Sequence, residues 1–310
     1  MKPYIILADA TCDLNESFQK QYDIVIVPGH VILPDKSEIS APLTWDRFTR
    51  EEFYNDLKKH PNDYKTAPPN AEEFRCVFTK YVEAGYDILA MSISGGISGA
   101  PNFMRAAKEA VLAEHPLAQI QIVDSLRFGP GFGLMVIWAS RMRASGKSLE
   151  ENVAWLEENR SRFHQAGWLD DLSFVAKKGR ITNAKAFFGT LAGVKPIGEF
   201  DYNGLTTVIG KVRGAKAAYE LLLNYIENTI ENPGEQTIFL AHTCRLPQAE
   251  EYKRMIEERF HPKEIFINDV FPSCGVNIGP GLMAAYYVGK PISKDLAEER
   301  ALFSKFSGAN

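Results

Sequence analysis

Asp87-Ile-Leu-Ala-Met-Ser-Ile93, then Ser94-Gly-Gly-Ile-Ser-Gly99, then residues 102–109, read as strand, glycine loop and helix. A loop of small residues that opens a helix leaves backbone N–H groups without intrahelical partners, and here it adds the hydroxyls of Ser94 and Ser98. That pattern is a seat for an anion. Whether the anion is a phosphate or a carboxylate is decided by the rest of the chain.

Outward from this stretch, short runs rich in Ile and Val alternate with helical periods, which predicts an α/β domain with a parallel sheet. Strands are predicted at 4–8, 24–27, 88–92 and 120–123, and helices at 71–84, 102–114 and 131–144. Three polar clusters, Asp9-Ala-Thr11, Ser92 to Gly99 and Asp124-Ser125, each follow a strand and so belong to one rim. Any one of them is most simply a set of cap and turn residues; three at one rim weigh toward a site. Residues 29–64, broken by Pro34, Pro42 and Pro61, are expected to form an irregular excursion.

A helix over 148–165 reads as a crossover, so the expected domains are 1–160 and 161–310. In the second, strands are predicted at 172–176, 194–200, 205–212, 237–241 and 264–270. Helices are predicted at 183–192, 215–230, 247–260 and after Gly281, with Asp201-Tyr-Asn-Gly204 as a hairpin turn. The expectation is a two-domain α/β protein with a parallel N-terminal sheet and a mixed C-terminal one.

The chain's 310 residues carry 35 Lys+Arg against 39 Asp+Glu, so there is no basic field to gather nucleic acid or an anionic membrane. No apolar run reaches the length of a membrane span, and a cytoplasmic protein is the expectation. Cys12, Cys76, Cys244 and Cys274 lie far apart, which suits reduced thiols, and the six histidines show no ligand spacing, so no metal is expected.

Three more motifs stand out. Thr66-Ala-Pro-Pro-Asn70 stiffens a loop before a helix, with Asn70 as its N-cap. Lys177-Lys-Gly-Arg180 is read as a basic turn after a strand, from which Arg180 could reach an anion. Gly275-Val-Asn277-Ile-Gly279-Pro-Gly281 is read as following a strand and preceding a helix, repeating the Ser98 loop.

Taken in order along the chain, these residues resemble the DegV family. Its motifs are matched by Asp9-Ala-Thr11-Cys-Asp13-Leu14, Thr66-Ala-Pro-Pro-Asn70, Ser94-Gly-Gly-Ile-Ser98-Gly99-Ala100, Asp124-Ser125, Gly179-Arg180-Ile181, Lys195-Pro-Ile197, Lys211-Val-Arg213 and Asn277-Ile-Gly279-Pro-Gly281. The resemblance implies a non-catalytic protein that holds one long-chain fatty acid in a tunnel between its two domains. It also implies an ATP-binding fatty acid kinase subunit as partner, to which the carboxylate is presented for acyl-phosphate formation.

By position, the resemblance implies Thr66 and Ser98 as the pair holding the carboxylate, with the N–H groups of Ser98 and Gly99, Ser94 and Asn277 nearby and Arg180 as the cation. The ligand is the fatty acid, with no cofactor. Asn277 replaces the family's His, so it can donate a hydrogen bond but cannot carry a proton near neutral pH. Gly95, Ala100, Ala67, Pro68, Asn70 and Gly129 also depart from polar family residues. Phe103, Phe132, Leu134, Phe187, Phe188, Leu191, Met283 and Tyr286 could serve an acyl chain, although most fit a core better. Two enzyme readings compete: a phosphotransferase related to dihydroxyacetone kinase with Asp9 or Asp124 as base, and a thiol hydrolase using Cys274, or Cys244 with His242.

Overall fold

The structure is a computed structural model that describes residues 2–182 and 193–307. Its elements begin with β1 (Tyr4–Asp9), α1 (Glu16–Tyr22), β2 (Ile24–Val27), β3 (His30–Ile32), β4 (Glu38–Ser40), α2 (Arg50–Lys59), β5 (Lys65–Ala67) and α3 (Ala71–Glu83). Next come β6 (Asp87–Ser92), α4 (Ala100–Glu114), β7 (Ile120–Asp124), α5 (Gly129–Ala144), α6 (Leu149–Asn159), β8 (Phe163–Leu169), α7 (Ser173–Lys177) and β9 (Ile181–Thr182). The rest are β10 (Val194–Phe200), β11 (Thr206–Arg213), α8 (Ala215–Thr229), β12 (Thr237–His242), α9 (Leu246–Phe260), β13 (Glu264–Asp269), α10 (Pro272–Ile278), β14 (Leu282–Val288) and α11 (Ala297–Ser307).

Two compact units divide the chain. The first holds Met1–Arg47, Asn62–Arg160 and Phe271–Cys274; the second holds Phe48–Pro61, Ser161–Val270 and Gly275–Asn310.

The first unit is built on a four-stranded sheet in the order β2-β1-β6-β7, parallel throughout. Every residue of β1 and β6 is buried, as a sheet covered on both faces requires. Period-two alternation sends Ile5, Leu7, Ile88 and Ala90 to the face covered by Phe74 and Phe78 of α3 and Met104, Ala107 and Val111 of α4. The other face is covered by α5 and α6. A small antiparallel sheet, β4-β3-β5, completes the unit.

The second unit carries a seven-stranded mixed sheet in the order β13-β12-β14-β8-β10-β11-β9. Its central strands β8 and β14 are buried along their whole length. Gly167 is required there, because a Cβ on it would lie 2.4 Å from the Ala284 Cβ. Strands β8 and β10 pair only at Ile197↔Trp168 and Gly198↔Gly167, where β10 shifts register. Beyond that point the fully buried Glu199 takes over from the ladder. One of its oxygens accepts from the amides of Gln165 (2.6 Å) and Phe200 (2.8 Å); the other accepts from the Tyr225 hydroxyl (2.9 Å) and shares a hydrogen bond with His164 Nδ1 (2.8 Å). His164 Nε2 lies 2.7 Å from the Lys290 carbonyl, which can only accept, so that nitrogen carries a hydrogen.

Several sequence expectations are corrected. The predicted helix over 148–165 ends at Asn159, and Phe163–Leu169 is a strand. Residues 172–176, read as a strand, belong largely to the helix α7 (Ser173–Lys177). Its end is a Schellman turn: Gly179, at φ +70°, donates to the Ala176 carbonyl and Arg180 to the Val175 carbonyl. The segment after Gly281 is the strand Leu282–Val288, not a helix, and Asn277 lies on α10, not in a glycine loop. The excursion over 29–64 holds β3, β4 and α2, the last opened by a Thr49–Glu52 capping box. The predicted helix 183–192, with Phe187, Phe188 and Leu191, lies outside the described residues.

At the strand ends of the second sheet, Arg50 makes a two-pronged ion pair with Asp269 (2.6 and 2.7 Å). Beside it His242 is buried, and its Nδ1 accepts from the Arg245 amide (3.1 Å), which fixes the hydrogen on Nε2. Burial pushes the His242 imidazole down from 6.5 to about 4, with the Asp269 charge opposing.

Two outcomes follow from this packing. Glu199→Gln leaves the imidazole and two amides facing an amide in place of a carboxylate, and costs about 3 kcal/mol in denaturant unfolding. His242 is depressed in the folded state, so its contribution is complete above pH 6.5 and fades as pH falls toward about 4. Unfolding titrations across that window show up to about 3 kcal/mol of loss in the wild type that is absent from His242→Gln.

Candidate functional site

The carboxyl ends of β1, β6 and β7 meet at the predicted rim of the first unit, and two carboxylates organise it. Asp9, 1 % exposed, ends β1 and caps the short turn after it. It accepts from the Thr11 amide (3.0 Å), the Thr11 hydroxyl and, on the other oxygen, the Ile93 amide (3.0 Å). Burial raises its carboxyl above the usual range, and these hydrogen bonds pull the other way. Asp124, at the end of β7, accepts from Gly95 N (3.1 Å) and Leu126 N (3.0 Å). A Cβ at Gly95 would lie 2.6 Å from the Asp124 carboxylate, so a larger residue here would need that side chain to shift. Both carboxylates accept from loop amides, a structural role that accounts for them without the phosphotransferase reading.

The glycine loop closes largely on itself. The Ser94 amide donates to the Arg127 carbonyl, and the Ser94 carbonyl accepts from Ile97 N and Ser98 N. The Ser94 hydroxyl, fully buried, accepts from Gly96 N (3.1 Å). The expected anion seat is therefore smaller than the sequence suggests: the Ser98 N–H is already given to Ser94, and Ser94 is the loop's internal staple. What remains is at the start of α4. The Ser98 Oγ accepts from Ala100 N (3.2 Å), a contact that uses a lone pair and leaves the hydroxyl hydrogen to donate elsewhere. Gly99, the N-cap, has no side-chain cap, and its N–H has no acceptor among the described residues.

Thr66 is the middle residue of β5, half-buried and paired with Val31. The neighbouring strand is tied to α3 through His30, whose ring nitrogens stand 2.7 Å from Glu38 and 3.0 Å from Glu73. Glu73 also closes the capping box with Asn70, the N-cap predicted from sequence. In the second unit, Arg180 is exposed just past the Schellman turn, with its guanidinium on the Lys178 carbonyl. Asn277 is half-buried in the last turn of α10.

Of the apolar candidates, Phe132, Leu134, Met283 and Tyr286 are packed core, whereas Phe103 is 39 % exposed. The second unit has a cavity of about 390 Å³ lined by His164, Thr229, Lys290, Glu299 and Lys305, and no predicted site residue lines it. The thiol readings fail on geometry. Burial pushes the Cys274 thiol well up, and it rests on the Thr11 carbonyl (3.4 Å); the Cys244 thiol is also raised, and the His242 nitrogen that could take a proton is occupied. Among the described residues no group of three or more His, Cys, Asp or Glu could hold a metal, and no helix is long and apolar enough to cross a membrane.

Two further charged residues, outside the sequence motifs, are brought together only by the fold, because the strand before Asp170 is not legible in the sequence. Asp170 and Arg245 each follow a strand of the second sheet, and both converge with Lys195 at its rim.

A DegV domain-containing protein of Clostridium perfringens is 32 % identical over 289 residues, spanning 93 % of this chain and 98 % of its own. One from Streptococcus pyogenes serotype M1 is 27 % identical over the same shares. Among solved structures, a DegV lipid binding protein of Thermotoga maritima superposes with a TM-score of 0.81 at 22 % identity, covering 93 % of this chain and 99 % of that one. A DegV family protein of Thermus thermophilus, described by its fatty acid binding, gives 0.81 at 24 %, covering 93 % and 100 %. A family model described as "uncharacterised protein, DegV family" matches residues 4–290, and by that match and the Clostridium relative this chain belongs to the DegV family.

Proposed function

We propose that this protein binds a long-chain fatty acid, with Thr66 and Ser98 holding the carboxylate and the Gly99 N–H beside them. The observation that carries the reading is the Ser98 hydroxyl. It is oriented by Ala100 N at the start of a 15-residue helix, with its hydrogen left to donate and an uncapped amide next to it. A carboxylate suits so few donors at a helix N-terminus, where the dipole favours negative charge. The same rim is poorer for a phosphate, because the loop amides that would cradle one are already given to Ser94, Asp124 and the Arg127 carbonyl. Ser94, Arg180 and Asn277 join the ligand set through the family resemblance.

Support for the ligand class comes from solved relatives of the same fold. One from Eubacterium ventriosum is described as a stearic acid-binding protein, and one from Bacillus subtilis as a fatty acid binding protein. At about 0.8 kcal/mol per buried CH₂, the alkyl chain supplies most of the affinity and the polar end sets its orientation. The protein would act as a non-catalytic cytoplasmic carrier that presents its fatty acid to a separate ATP-binding kinase for acyl-phosphate formation.

The double variant Thr66→Ala/Ser98→Ala is expected to weaken fatty-acid binding by about tenfold or more, with the melting temperature nearly unchanged. Unchanged binding would remove the head-group assignment and leave the family reading standing. Asn277→His restores a group that can carry a proton, and raises acyl-phosphate yield in a product assay with an ATP-binding kinase of the family's type. Equal yields would show that position 277 plays no part in the transfer.

A further inference from the structure

At the rim of the second unit's sheet, two cations share one carboxylate. Asp170 follows β8, Lys195 is the second residue of β10, and Arg245 follows β12. Strand order makes them neighbours. Extending the antiparallel register of Ile197↔Trp168 by two residues sets Lys195 opposite Asp170, and β14 brings in β12 from the other side. One Asp170 oxygen pairs with the Lys195 ammonium, the other with the Arg245 guanidinium.

Asp170 is pinned by its backbone. Its amide donates to the Gly281 carbonyl (3.2 Å), and a Cβ on Gly281, itself at φ +100°, would lie 3.0 Å from the Asp170 Cβ. The three side chains are partly buried, at 15 % exposure for Lys195, 25 % for Arg245 and 29 % for Asp170. Among the described residues neither cation has a second acceptor, so most of their N–H donors are unspent. Burial pushes both cations below their ordinary range, which is the cost of holding an excess positive charge away from water.

We propose that Lys195 and Arg245 form a seat for a phosphate group through the donors they do not spend on Asp170, the carboxylate that lies between them and competes with the ligand for both cations. The three side chains sum to one positive charge. Arg245 is also the N-cap of α9, which has no side-chain cap and adds about half a charge more. About +1.5 is close to the complement of a phosphate monoester, which carries about −1.5 to −2 at neutral pH. A guanidinium and an ammonium approaching from two sides also suit a tetrahedral anion with several oxygens better than a second planar carboxylate. The seat rests on the carrier reading for its role, since a phosphoryl group, on an acyl phosphate or a nucleotide, is what such a carrier meets. The binding itself needs no lipid.

The test is calorimetric titration of the full-length, lipid-free protein with inorganic phosphate, acetyl phosphate and ATP in separate arms, with sodium acetate as the carboxylate comparator. Fatty-acid binding is measured in parallel, so that failure of the seat and failure of the carrier reading are told apart. Wild type is expected to bind phosphate in preference to acetate, and the tightest of the three phosphate arms names the source. Lys195→Gln/Arg245→Gln is expected to weaken phosphate binding by about tenfold or more, and Lys195→Arg to retain it. Asp170→Asn removes the competing negative charge and is expected to tighten binding by about tenfold. The last result separates a seat from a structural ion pair, which predicts lower stability and no gain in affinity. Acetate binding as tightly as phosphate, or the same phosphate affinity in wild type, Lys195→Gln and Asp170→Asn, would overturn the proposal.

Discussion

The first unit's candidate site depends on a carboxylate at the end of a strand accepting the amides of the next loop. Asp9 ends β1 and holds Ile93; Asp124 ends β7 and holds Gly95. Between them they fix both sides of the loop that follows β6. Burying Asp9 is unfavourable, as its raised carboxyl shows, and the three donors around it offset that cost. The consequence is a loop with few amides to spare. A glycine-rich stretch that would cradle a phosphate if open becomes a narrow donor pair at Ser98 and Gly99 once its own amides are committed.

The second unit solves a different problem with the same chemistry. Where β8 and β10 part, the Glu199 carboxyl group bonds Gln165 N and Phe200 N, then His164 and Tyr225, so that both of its buried oxygens have partners. At the opposite end of these strands, Asp170 holds Lys195 and Arg245 on either side. In each unit an acid takes up nearby donors, and the proposed ligands are met by the donors it leaves unspent.

Much of this was legible in the sequence, and the exceptions have physical causes. Short apolar runs rich in Ile, Leu and Val and bounded by Asp or Ser located β1, β2, β6 and β7, and Asn70 announced α3 because its capping box is local. Strand β14 reads as a helix because Leu-Met-Ala-Ala is helix-forming composition, and a strand buried on both faces shows no alternation. The stretch 172–176 was taken for a strand because its apolar run is short; Lys177 and Gly179 held the better signal, a basic last turn followed by a glycine at C′. Strands of three residues, such as β3 and β4, are too short to carry any period. At the site, Ser94 and Ser98 look alike in sequence. Their roles part only through contacts with Arg127, Gly96 and Ala100.

The central claim, that this chain carries a fatty acid, is tested most directly by native mass spectrometry of the purified protein, followed by organic extraction and identification of what is released. The account predicts an adduct that extracts as a long-chain fatty acid, in one-to-one ratio with the chain. A protein that is empty as purified and takes up no fatty acid on addition would contradict it.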